Sequence, residues 1–291
     1  MNFSFPLVVA LCVLNGVAAQ ASPIVVSGWL TNVNSDDSPY EYAQFVATED
    51  IDFAVRPFTI LWNDVGLAGS TGTASFSDGW AGGSLLSYAF QLDAGTVTRG
   101  EVFYVGGSAQ RLAGPGSASF ADQRWLRTIN TTLVGGDGLG TADATGVLGN
   151  GGPNADGIAV FAGPASAITS TSVPLDTVFF GNSVGTARPA AGGFKAAGND
   201  RYTSEGVFGD AGNSFLFSDL AQNEFQRLSG TYDWAAEQWV GPRTGSVVPL
   251  NSGSQVSAIA SGIALIPEPS VSLLMIGAAM TLSSRRHRKP R

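Results

Sequence analysis

The sequence predicts an all-β protein, a sandwich or barrel with long Gly-rich loops. Short aromatic and β-branched runs recur at close intervals along most of the chain. Gly, Asn, Asp and Pro punctuate them, as turns between strands require. No stretch of helical period has convincing length, and Lys and Glu, good helix formers, are scarce outside the ends.

In chain order, Met1 to Ala21 reads as a secretory signal peptide. Leu7 to Leu14 is its apolar run, and Ala19-Gln20-Ala21 is a small-x-small site for cleavage before Ser22. The strand series opens at Ile24–Leu30 (IVVSGWL). Tyr40–Phe53 holds another strand, and Phe58–Trp62, Leu85–Leu92 and Glu101–Val105 follow. Next come Trp125–Ile129, Ile158–Phe161, Leu175–Phe180 and Phe215–Phe217. A hairpin across Tyr232–Val240, turning near Ala235-Ala236-Glu237, closes an ectodomain expected over 22–250. The polar, Gly-rich 251–266 reads as a linker that lifts the domain off a membrane.

Composition excludes several chemistries. Cys12 is the only cysteine and lies in the leader, so the mature chain has no disulfide and no thiolate ligand or nucleophile. From Ser22 to Ile266 there are 10 basic and 22 acidic residues, a net −12, which opposes nucleic-acid binding. Gly181-Asn182-Ser183-Val184-Gly185 fits the nucleophile-elbow pattern, but the chain's one histidine, His287, lies beyond the apolar tail segment. Without a base to take the serine proton, the match carries no hydrolase chemistry. The same shortage removes ordinary zinc sites. Paired carboxylates remain open for glycan chemistry, and Trp29, Trp62, Trp80, Trp125, Trp234 and Trp239 could stack on sugars, although packing is their usual role.

The Gly-rich stretch Gly135–Gly157 contains Asp137, Asp143 and Asp156, hard oxygen donors suited to Ca²⁺. It is similar to a single calcium-binding Gly-Asp turn but lacks the tandem period of such repeats. The favoured reading is a surface loop with no cofactor.

The C-terminal stretch is the most informative. Pro267-Glu268-Pro269 stops any helix from running back through it. Ser270–Ser284 is uncharged and apolar. As a helix it would span about 22 Å, short of the roughly 30 Å hydrocarbon core, and thinning or snorkelling makes up the difference. Arg285, Arg286, Arg288 and Lys289 then set a cytoplasmic end. This ordered set resembles the PEP-CTERM sorting tail over 267–291. The resemblance implies a partner, an exosortase-like membrane peptidase that cuts near the triplet. It also implies an inner-membrane-anchored intermediate, followed by a cell-surface or extracellular location.

A second resemblance covers roughly Ile24 to Gly181. DSPYEYAQFVATEDIDF with Glu41 and Tyr42, then GEVFYVGG, then DGIAVFAG with LDTVFFG, resemble the lamin-tail type of immunoglobulin-like β-sandwich. That family implies a structural or adhesive role. The expectation is an exported, non-enzymatic envelope or matrix protein, with exopolysaccharide or other envelope components as partners. The alternative is a carbohydrate-binding module or a carboxylate-based glycan-active enzyme.

Overall fold

Two sheets face each other across a shared apolar core in the computed structural model, which describes residues 22–33, 39–63, 87–121, 123–129, 156–168, 172, 174–181, 214–216 and 221–267. In chain order the strands are β1 (Ile24–Leu30), β2 (Tyr42–Ala47), β3 (Ile51–Asp52), β4 (Phe58–Asn63) and β5 (Ser87–Leu92). Then come β6 (Thr96–Val97), β7 (Val102–Gly107), β8 (Arg124–Ile129), β9 (Asp156–Ala162) and β10 (Asp176–Gly181). The last are β11 (Ser214–Leu216), β12 (Glu224–Asp233), β13 (Gln238–Trp239), β14 (Thr244–Pro249) and β15 (Gly262–Ile266). Among the described residues the only helical pieces are short 3-10 turns at Ala165–Ala167 and Val256–Ile259. None is long and apolar enough to cross a membrane.

The first sheet runs β13-β12-β1-β2-β7-β8, with β14 and β15 also paired to β12. The second runs β11-β10-β9-β4-β5, and β3 pairs with β6 beside them. Most pairs are antiparallel, whereas β7–β8, β10–β11 and β12–β15 are parallel. Side-chain alternation explains the core. Ala43, Phe45 and Ala47 of β2 and Phe103 and Val105 of β7 point between the sheets, meeting Phe58, Ile60 and Trp62 of β4 and Val178 and Phe180 of β10. The Trp29 and Phe180 rings close the gap, with centroids 4.7 Å apart. Burying each such side chain contributes about 1.5–3 kcal/mol.

A bulge in β1 sets which residues reach that core. Val26 pairs with Phe45 and Gly28 with Gln44, so Ser27 is the extra residue. Ile24 and Val26 face inward before it, and the shift brings Trp29 inward after it. Gly28 must remain glycine, because a Cβ there would lie 2.7 Å from Gln226 O and against the Phe225 ring.

Both β1 and β2 are buried along their whole length. The cause is a third layer on the outer face of the first sheet. There Leu30, Tyr42, Tyr104 and Phe225 pack with Leu112 and Phe120 of the 110–121 loop and with Leu250 and Ile259 from the chain's later part. The stretch 251–266, expected as a linker, is thus part of the fold. Ile259 is fully buried, and Gly262–Ile266 pairs residue for residue with Ser229–Asp233. Its small polar residues form a tight turn, in which Asn251 Oδ1 accepts the Gly253 N–H at 2.8 Å and Ser254 Oγ accepts the Asn251 N–H at 3.0 Å. Apolar Ile263 and Leu265 of β15 then pack beside Val25, Val46 and Tyr232.

Candidate functional site

Two buried polar constructions and one pole of the sandwich stand out. The first construction is Gln44, which points from β2 into the outer layer. Its Oε1 accepts from Ser27 Oγ at 2.8 Å, and its Nε2 donates to Tyr104 OH at 3.1 Å and to Ile259 O at 2.7 Å. One amide thereby fastens the later covering segment to the central sheet. Beside it Tyr42 OH donates to Leu112 O at 3.0 Å, fastening the 110–121 loop. Burial, reinforced by the charge of Tyr104, holds the Tyr42 phenol well above its ordinary value. Tyr104 is also raised by burial, in part offset by its bond from Gln44.

The second construction joins the sheets. Asp176 Oδ2, at the start of β10, accepts from Val26 N at 2.8 Å and from Arg243 Nη1 at 3.0 Å. Arg243 Nη2 donates to Thr177 O at 3.0 Å, and the guanidinium lies 4.6 Å from the Trp239 ring centroid. The carboxylate thus satisfies the N–H of Val26, which precedes the stretch of β1 paired with β12 at Gly28 and Trp29.

The pole is where both ends of the described fold meet. Ser22 N–H donates to Tyr232 OH at 3.0 Å. Tyr232 pairs with Leu265, and Trp234 N–H donates to Ile266 O at 3.1 Å. Ser22, the residue after the expected leader, and Ile266, the residue before the triplet, therefore leave the sandwich at the same end. Arg99 caps this end with its guanidinium 3.8 Å from the Trp234 ring centroid. Its backbone N–H donates to Asp50 Oδ1 at 2.8 Å.

Several of the described carboxylates hold turns and ion pairs. Glu49 pairs with Arg56, and Glu101 accepts from Arg124 Nε at 2.7 Å. Burial raises the Glu101 carboxyl, but hydrogen bonds from Thr98 and Arg124 outweigh it and leave it below its ordinary value. Asp52 Oδ1 accepts from Ala54 N, and Asp233 Oδ1 from Ala235 N and Ala236 N. Among the described residues no three or more His, Cys, Asp or Glu side chains gather to hold a metal ion.

Of the residues singled out in the sequence, Ser22 is buried and Pro267 is exposed directly after β15. Asp156 is the first residue of β9, paired with Phe180. Ala19, Ala21, Asp137, Asp143, Glu268, Pro269, Arg285, Arg286, Arg288 and Lys289 lie outside the described residues, as do Trp80, Ser183 and His287. Trp29 and Trp62 are fully buried, and Trp125 packs on Phe120 with centroids 5.2 Å apart. Trp239 stands edge-on to Tyr232. Gln44, Asp176 and Arg243 carry no local sequence signal, because their partners lie far along the chain. In comparisons with protein-family models, curated proteins and solved structures, nothing matches this chain.

Proposed function

We propose that this is an exported structural or adhesive protein of the cell surface or extracellular matrix, delivered through a PEP-CTERM-type tail over 267–291. In this reading Met1–Ala21 is removed, and an exosortase-like membrane peptidase reads Pro267, Glu268 and Pro269. The observation that carries it is the position of Pro267: the last strand ends at Ile266, and the triplet starts exposed on the next residue. A processing signal must stand clear of the folded body, and the exposure of Pro267, its first residue, agrees with that requirement.

The body itself favours a role played by shape and surface over catalysis. Trp29 and Trp62 are fully buried, and the Trp234 face is covered by Arg99. Glu49, Glu101, Asp52 and Asp233 are tied into ion pairs and turns. These features speak against the rival of a glycan-binding module or carboxylate enzyme. An immunoglobulin-like, lamin-tail form of the sandwich belongs to the same proposal. It is supported by Tyr42 opening β2 after Glu41 and by the antiparallel pairing of β9 with β10 from Asp176 to Phe180.

The test is to append 267–291 to an unrelated exported reporter, beside a version with all three triplet residues changed to Ala. Surface delivery of the first with retention of the second in the inner membrane is expected. Equal fates for the two would remove the sorting role.

A further inference from the structure

We infer that the pole carrying Ser22, Trp234 and Ile266 is the membrane-facing end of the domain while the tail is in place, and that the opposite pole is presented outward. This rests on the tail reading above and adds an orientation to it. The partner surface is the lipid bilayer.

The geometry is a tether argument. Ile266 is paired in the sheet opposite Asp233, and its carbonyl is held by Trp234 N–H. Only Pro267, Glu268 and Pro269 separate it from the uncharged run that starts at Ser270. Three residues, fully extended, reach about 11 Å. A spacer of that length holds the end of β15 against the headgroups and leaves little room for the domain to turn over.

The other chain end agrees independently. Ser22 is bonded to Tyr232 at the same pole, directly after the apolar leader. A domain with both ends at one pole can be attached through either without reorienting. β12 runs from Glu224, at the far pole, to Asp233, at this one. At the usual strand rise the two poles are about 30 Å apart. The far pole carries the exposed turn at Ser252, since Leu250 N–H bonds Asn223 O and Pro249 pairs with Glu224.

Charge does not hold the pole down. Glu49 and Glu101 are engaged by Arg56 and Arg124, and Arg99 sits on Trp234, but among the described residues Asp50, Asp52 and the exposed Glu237 leave an acidic excess. Such a surface is repelled by anionic lipids. The tail alone keeps the pole at the membrane, and cutting the tail frees it.

The experiment uses the chain from Ser22 to Arg291, which lacks the leader and has no native cysteine, reconstituted in phosphatidylcholine vesicles doped with a headgroup nitroxide lipid. A fluorophore is placed on Ala235→Cys, beside the exit, or on Ser252→Cys, at the far pole; both sites are exposed. Quenching several-fold stronger at 235 than at 252 is expected. Vesicle flotation is read on the same samples. If the chain floats and quenching is equal or stronger at 252, the orientation is wrong while the anchor stands. If the chain does not float, the anchor and the orientation fall together. Protein ending at Ile266 is expected to stay unquenched at both positions, and quenching at 235 without the tail would overturn the claim that only the tail holds the pole.

Discussion

Arg243 reaches across the sandwich to Asp176, Nη1 to Oδ2 at 3.0 Å, with the two side chains 1% and 0% exposed. This ion pair is shut away from water, and it links the last hairpin to the facing sheet. Removing one partner strands the other charge in the interior, at a cost of about 3–5 kcal/mol. Asp176→Asn and Arg243→Met are each expected to lose stability on that scale in urea unfolding. The double variant should lose clearly less than the two losses added. Single losses below about 1 kcal/mol would mean the pair is dispensable.

Gln44 makes three buried hydrogen bonds, one of them to Ile259 O. Gln44→Ala leaves that carbonyl and Tyr104 OH short of a partner, at about 1–3 kcal/mol for each stranded group. Hydrogen exchange should then quicken most over 255–266. Uniform quickening across the whole chain, or none in this segment, would argue against its role as a fastener.

Protein ending at Ile266 should be as stable as the chain without its tail can be, whereas protein ending at Leu250 should not. The shorter form loses fully buried Ile259 and uncovers the β12 edge that pairs with β15. Burial of Ile259 alone is worth about 1.5–3 kcal/mol. Thermal melts of the two forms should differ by several degrees or more, and coincident melts would return 251–266 to the status of a linker.

Alkaline pH offers a separate handle through Tyr42. Its phenol is raised in the folded protein, so the folded state holds the proton more tightly than the unfolded chain. Stability from this group is intact below the ordinary phenol value near 10 and falls as pH rises from there towards the folded value. Urea unfolding between pH 8 and 11.5 should show this decline. Tyr42→Phe, weaker at pH 8 for lack of the bond to Leu112 O, should decline less steeply.

The inner strands were legible because each carries its own signal. IVVSGWL became β1 without a change of boundary, and FTILW became β4 with one residue added. The covering layer was harder to read because its meaning lies in distant partners. Asn251–Ser254 has the composition of a flexible linker, yet its side chains close a turn on their own backbone. GIALI, which is apolar enough for a strand, was hidden by its Ser- and Gly-rich approach. Asp176 and Arg243 stand 67 residues apart, and nothing local distinguishes them from surface charges. The fold's convergence of Ser22 and Ile266 likewise depends on Tyr232, 210 residues from Ser22.

Intact mass measurement of the protein recovered from the cell surface bears on all of this at once. Delivery through the sorting tail predicts a species that begins at Ser22, retains β15 through Ile266 and lacks the basic residues from Arg285 onward. A surface-delivered species still ending in Arg291 would contradict it.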